Sequence, residues 1–263
     1  LYAGKGEYDA AMQDLDRSEQ LNPNDPAVYT NRGLIREQQG NVVDAFQDYD
    51  RALRVNPDYV PALLRRAELS ARNRGTDSVA RDIDHVLKLD SANVKAQVML
   101  GKMKLDAGRA KEAVKIFSSA LKAEPDNIAV LSGLAEAQFR QGDAAAAAES
   151  YTKALEKSGQ NAELLTGRCL ACLKLGRLED ALKDCDAAAK MDPSSAAPLY
   201  NLGSVLLAAG RNAEAVTAFS SAIELNRNEP DYHHNRGIAF MRLGKTAEAK
   251  SDFETALAIN PRD

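Results

Sequence analysis

Tryptophan is absent from the 263 residues, and histidine and cysteine occur three times each. Aromatic side chains make up 5% of the chain, so a core built mainly on large rings is excluded and small and aliphatic residues must carry the packing. No apolar run approaches the roughly 20 residues that a membrane-spanning helix needs. Charge of one sign is not in excess either. Lys+Arg 34 against Asp+Glu 38 gives a net charge of −4, interleaved along the chain, whereas nucleic-acid binding would want a basic face. His85, His233 and His234 have no serine, cysteine or acid at a recurring offset, as a nucleophile set would. The glycines are isolated and cannot cradle a phosphate. Cys169 and Cys172 form a C-x-x-C pair, but a structural zinc takes four ligands and neither a second pair nor a nearby histidine is present. The expectation for Cys169, Cys172 and Cys185 is three buried free thiols acting as small hydrophobes. Their clustering favours a reducing compartment, and a cytoplasmic one within that class. No cofactor, metal or catalytic residue is implied.

What the chain has instead is a period. The segment Pro26–Tyr59 recurs every 34 residues, seven times in all, ending at Asp263, and the 25 residues before it match the end of one more copy. A fixed period in this range means a stacked array in which each unit touches its neighbours. The units are 1–25 (partial), 26–59, 60–93, 94–127, 128–161, 162–195, 196–229 and 230–263. With places counted from Pro26, glycine recurs at place 15 (Gly40, Gly108, Gly142, Gly176, Gly210, Gly244), between two apolar-periodic segments, and marks a helix end. Proline at place 32 (Pro23, Pro57, Pro125, Pro193, Pro261) disfavours helix in the residue before it and ends the second segment. Each unit therefore reads as helix A, turn, helix B, turn.

Small residues at place 8 (Gly33, Ala67, Gly101, Ala135, Cys169, Gly203, Gly237) and place 20 (such as Ala45, Ala147, Ala215) let the two helices approach closely. Place 24 holds larger groups, among them Tyr49, Phe117, Tyr151, Phe219 and Phe253, which fill the space around them. The unit 60–93 is the least regular. Gly75 arrives one residue late, Val79 and Val86 replace alanines and Ser91 replaces proline, so a local distortion of helix packing or of superhelical twist is expected there.

These features resemble the tetratricopeptide repeat (TPR) family, whose pattern shares the period, the leucine-glycine pair, the Ala-x3-Phe step and the late proline. Tyr200–Leu225 and Asn235–Pro261 carry nearly the whole pattern, and the resemblance covers essentially every residue. It implies an all-α fold, a right-handed superhelical α-solenoid of stacked antiparallel helix pairs, with the A helices lining a concave groove. In that groove place 6 would present Asn31, Arg65, Asn201 and Asn235, and a carboxamide can hold a peptide backbone through both donor and acceptor. Tyr200, Ser204, His234 and Arg242 would surround the last two asparagines. Gly133 and Gly167, flanked by Phe139, Leu170 and Leu173, would form an apolar floor with room above it, and Arg65, Arg66, Arg72 and Arg74 a local basic patch. The family's two-carboxylate clamp is not matched, because Pro61 stands where its second lysine belongs.

The function these expectations describe is a non-catalytic adaptor or scaffold that binds a peptide segment or helix of a partner protein, not nucleic acid. Leu1 falls at place 10 and Pro261–Asp263 is a turn, so the chain is expected to continue into a longer protein. Uncapped ends would permit self-association. The competing roles are the substrate-recruiting arm of a larger enzyme and a self-assembling structural scaffold.

Overall fold

The computed structural model describes residues 7–73 and 76–260. Among these residues there are fifteen α-helices and no strand. They are α1 (Tyr8–Leu21), α2 (Pro26–Gln38), α3 (Val42–Val55), α4 (Val60–Arg72), α5 (Thr76–Leu89), α6 (Val94–Asp106), α7 (Ala110–Ala123) and α8 (Ile128–Gln141). They continue with α9 (Ala144–Ser158), α10 (Ala162–Lys174), α11 (Leu178–Met191), α12 (Ala196–Ala208), α13 (Asn212–Leu225), α14 (Pro230–Arg242) and α15 (Thr246–Ile259). No described helix is long and apolar enough to cross a membrane.

Every A helix begins at place 1 and every B helix at place 17, including the pair α4 and α5 in the irregular unit. The boundaries have local causes. Gly142 closes α8 at φ 101° and Gly176 follows α10 at φ 72°, a left-handed backbone that glycine adopts without a Cβ clash. At the other turn Asn56 takes φ −137° and ψ 102° before Pro57, which stops α3. Asn93, Asn127 and Asn161 each accept a hydrogen bond from the backbone N–H three residues on and so cap α6, α8 and α10. Within a pair the helices run antiparallel, since Arg32 on α2 reaches Asp48 on α3 while Arg36 reaches the earlier Asp44 carbonyl.

The helices form two compact units, α1–α6 and α7–α15, with 122–124 grouped with the first. In each, the core is a layer of alanines at 0% exposure, such as Ala45, Ala52, Ala62 and Ala67 in the first and Ala147, Ala181, Ala215 and Ala222 in the second. Buried rings and aliphatic side chains fill between them. Cys169 and Cys185 correct the expectation of three free thiols, because they are joined in a disulfide between α10 and α11. They occupy places 8 and 24, which face each other across a helix pair, so two cysteines there come within bonding distance. Cys172 is the free, buried thiol, and burial pushes its pKa up.

Candidate functional site

Three recurring contacts fix the A helices, and they decide which of their side chains remain available. The first is a staple at place 4. Tyr29 Oη donates to the Pro23 carbonyl at 2.7 Å, and Gln97 Nε2 to the Ser91 carbonyl at 2.8 Å. His233 Nε2 lies 3.1 Å from the Arg227 carbonyl, and since a carbonyl only accepts, that nitrogen carries the proton. Each side chain reaches back six residues and ties its helix to the preceding turn.

The second is an arginine at place 7. Arg66 on α4 donates to Asp82 on α5 at 2.6 and 2.9 Å and to Asp50 on α3 at 2.6 Å. Arg168 bridges Asp184 and Thr152 in the same way, Arg236 bridges Asp252 and Ser220, and Arg32 bridges Asp48 and Glu19, with Asp16 3.5 Å away. The carboxylates at place 23 are buried, and the bidentate geometry satisfies them. Where place 7 is Leu100, Leu134 or Leu202, place 23 is Ile116, Ser150 or Ala218. The paired arginine and aspartate are a signal in the sequence itself, at a spacing of 16 residues.

The third is the direction of the ring at place 24. A Cβ on Gly33 would lie 2.6 Å from the Tyr49 ring and one on Gly203 2.7 Å from the Phe219 ring, so these rings pack within their own unit. Phe117 and Tyr151 turn to the following unit instead, where a Cβ on Gly133 would lie 2.4 Å from Phe117 Cζ and one on Gly167 2.3 Å from Tyr151 Cζ. This corrects the expected apolar floor. The room above Gly133 and Gly167 is filled by rings, and Phe139 and Leu173 pack against the same core. The basic patch is corrected likewise. Arg65 pairs with Glu68, Arg66 with Asp50 and Asp82, and Arg72 with Glu37, while Arg74 lies outside the described residues.

The structure does bring Tyr200, Ser204 and Asn235 together. Asn235 Nδ2 on α14 donates to Tyr200 Oη on α12 at 2.7 Å, and Ser204 Oγ donates to the Tyr200 carbonyl at 3.0 Å. Tyr200 stacks on Tyr232 with ring centroids 4.8 Å apart, a residue that sequence reasoning did not single out. Burial, with the Asp231 carboxylate nearby, pushes the Tyr200 hydroxyl above its usual pKa, so it stays a neutral donor and acceptor. Arg242 Nη1 donates to the Leu207 carbonyl at 2.7 Å and so caps the end of α12. His234 is exposed, with its ring 5.5 Å from Phe253. Asn201 is half-buried, and among the described residues its carboxamide has no hydrogen-bond partner. In the other unit Asn31 is exposed, and Arg65 is held by Glu68 at 3.3 Å.

The model of the family described as the ETO1 C-terminal domain matches residues 7–263. The chain belongs to that family. Among solved structures, the family member is similar to a tetratricopeptide repeat protein from Parabacteroides merdae ATCC 43184, at 20% identity and a TM-score of 0.65 over 91% of this chain and 94% of that one. It is also similar to a chain of the APC/C hetero-tetramer Cut9–Hcn1, at 16% identity and a TM-score of 0.75 over 90% of this chain and 47% of that one. YrrB, a TPR protein with an unusual peptide-binding site, matches at 16% identity and a TM-score of 0.57 over 68% of this chain and 93% of that one. At these identities the likeness shows the fold, which is the TPR fold. No curated protein matches the chain significantly in sequence.

Proposed function

We propose that this chain is a non-catalytic protein-interaction module that docks an extended segment of a partner protein along α12 and α14. The observation that carries the proposal is the prearranged polar cluster there. Tyr200 and Asn235 orient each other, and the Asn201 carboxamide beside them is unengaged among the described residues. An amide held in place, or left unpaired, at regular spacing can meet the donors and acceptors of a peptide backbone without reading its side chains. Tyr200 and Tyr232 add a stacked aromatic surface of the kind enriched among residues that dominate interfaces.

The test is a capture experiment from native extract with a photo-crosslinking residue at position 208, on the exposed end of α12, compared with one at position 254 on α15. A partner is expected to crosslink at 208 and not at 254. The Asn201→Ala, Asn235→Ala double variant should lose it with circular dichroism and melting unchanged. Equal crosslinking by both positions, or full recovery with the double variant, refutes the site.

A further inference from the structure

The arginine staples lie at the base of clefts between successive B helices, and two of these clefts can be compared place by place. In one, α3 and α5 form the walls and α4 the base, with Asp50, Arg66, Arg81 and Asp82 among its residues. In the other, α9 and α11 form the walls and α10 the base, with Thr152, Arg168, Lys183 and Asp184 at the same places. The staple is the same in both, but the volume is about 860 Å³ in the first and about 260 Å³ in the second. The larger cleft belongs to the irregular unit, where Val79 and Val86 stand at places that are alanine in most other units. Both valines are buried in the same core cluster as Ala62 and Ala67 of α4.

We infer that the α3–α5 cleft is a second docking site, one that receives a short amphipathic helix of a partner protein carrying an acidic residue. The cleft has the length for it. Phe46 and Leu53 lie seven residues apart on α3, roughly 10 Å along the helix, which is two turns of an occupant. Phe46, partly exposed, marks one end and exposed Pro57 the other, with Leu53 and Leu63 buried in the floor beneath, so the occupant presents two apolar side chains about seven residues apart. The charge of the cleft sets the third feature. Its two acids, Asp50 and Asp82, are both bonded to Arg66, and His85 is held by Asp58 at 2.7 Å. Arg54 stands exposed at the rim beside Leu53 with no partner among the described residues. A carboxylate on the occupant next to its second apolar anchor meets that guanidinium. The site lies in the α1–α6 unit and does not rest on the reading of α12 and α14.

The test uses a phage-displayed library of random helical peptides selected against the full chain. Selected peptides are then examined by methyl NMR and by fluorescence anisotropy against the wild type and Arg54→Glu. Selection is expected to enrich peptides with apolar residues seven apart and an acid beside one of them, and these should shift the Leu53 and Leu63 methyl signals. Because Arg54 is exposed, Arg54→Glu should keep the circular dichroism spectrum, weaken acidic peptides about tenfold and recover binding when the peptide acid is changed to lysine. Failure to select any binder, methyl shifts confined to α12 and α14, equal binding by Arg54→Glu, or dimerisation of the chain through this cleft would each overturn the inference.

Discussion

Replacing Gly133 with alanine tests the ring directions most directly. In an exposed helix interior, Gly→Ala stabilises by about 1 kcal/mol, because glycine loses more backbone entropy on folding. Here the new Cβ would sit 2.4, 2.5 and 3.0 Å from three atoms of the Phe117 ring, against the ordinary 3.5–4.0 Å for carbon pairs. Phe117 is fully buried, so the ring cannot turn away without moving α7 or α8. Overpacking of this kind costs about 1–3 kcal/mol, and a clash with three ring atoms belongs at the upper end. Subtracting the gain in helix propensity leaves a net loss of about 2 kcal/mol for Gly133→Ala. In a Phe117→Leu background the clash is removed, and the same substitution should be neutral or stabilise by up to about 1 kcal/mol. Urea unfolding followed by circular dichroism of the four proteins gives a coupling energy of about 2–3 kcal/mol from the cycle. If Gly133→Ala stabilises the wild type, or if the two substitutions are additive, Phe117 does not pack over Gly133 and the assignment is wrong.

The other predictions use the same unfolding assay or a labelling readout. Arg168→Leu alone leaves buried Asp184 without its partner and should cost about 3 kcal/mol, whereas Arg168→Leu with Asp184→Ile, the pair found as Leu100 and Ile116, should return to within about 1 kcal/mol of wild type. Ala215→Leu should cost about 1–3 kcal/mol, since Ala215 is fully buried between α12 and α13; equal stability would mean the packing register is wrong. Burial, reinforced by the Glu136 carboxylate, pushes the Tyr151 hydroxyl up to about 12 from its usual 10.0. Its contribution is therefore fully present below pH 10 and is lost between pH 10 and 12, so wild-type stability should fall more steeply across that window than that of Tyr151→Phe. Alkylation of the unfolded chain without reductant should label Cys172 and spare Cys169 and Cys185.

The helical order was legible because the signals that set it are local and repeated. Glycine at place 15 and proline at place 32 act on the backbone within a turn, so they identify helix ends without knowledge of packing. The irregular unit shows the limit of that reasoning. Its late Gly75 does not shift the start of α5, which keeps its register at place 17, and the larger volume of the α3–α5 cleft is a property of side-chain packing that no spacing specifies. The candidate site was legible only as residue types. Spacing places Asn235, Tyr200 and Ser204 on successive A helices, but their hydrogen bonds depend on side-chain rotamers packed against Tyr232 and Phe219, which no spacing specifies. The basic patch failed for a related reason. A run of arginines on one helix says nothing of the acids on the next, and Glu37, Asp50 and Asp82 come from α2, α3 and α5.

Ring direction links the core to the surface that the proposed function uses. Place 24 of one unit and place 6 of the next lie sixteen residues apart, and a ring that turns forward leaves only a hydrogen at place 6, as at Gly133 and Gly167. Where the residue at place 24 is held within its own unit, place 6 is free to carry a polar side chain. Tyr49 over Gly33 precedes Arg65, and Phe219 over Gly203 precedes Asn235. Cys185, small and bonded back to Cys169, precedes Asn201. A polar position on an A helix thus requires a choice made one helix earlier in the core. The corollary is that Asn201 depends on Cys185 remaining small: a phenylalanine at 185 could no longer bond to Cys169, and its ring would compete with the Asn201 carboxamide for the same space.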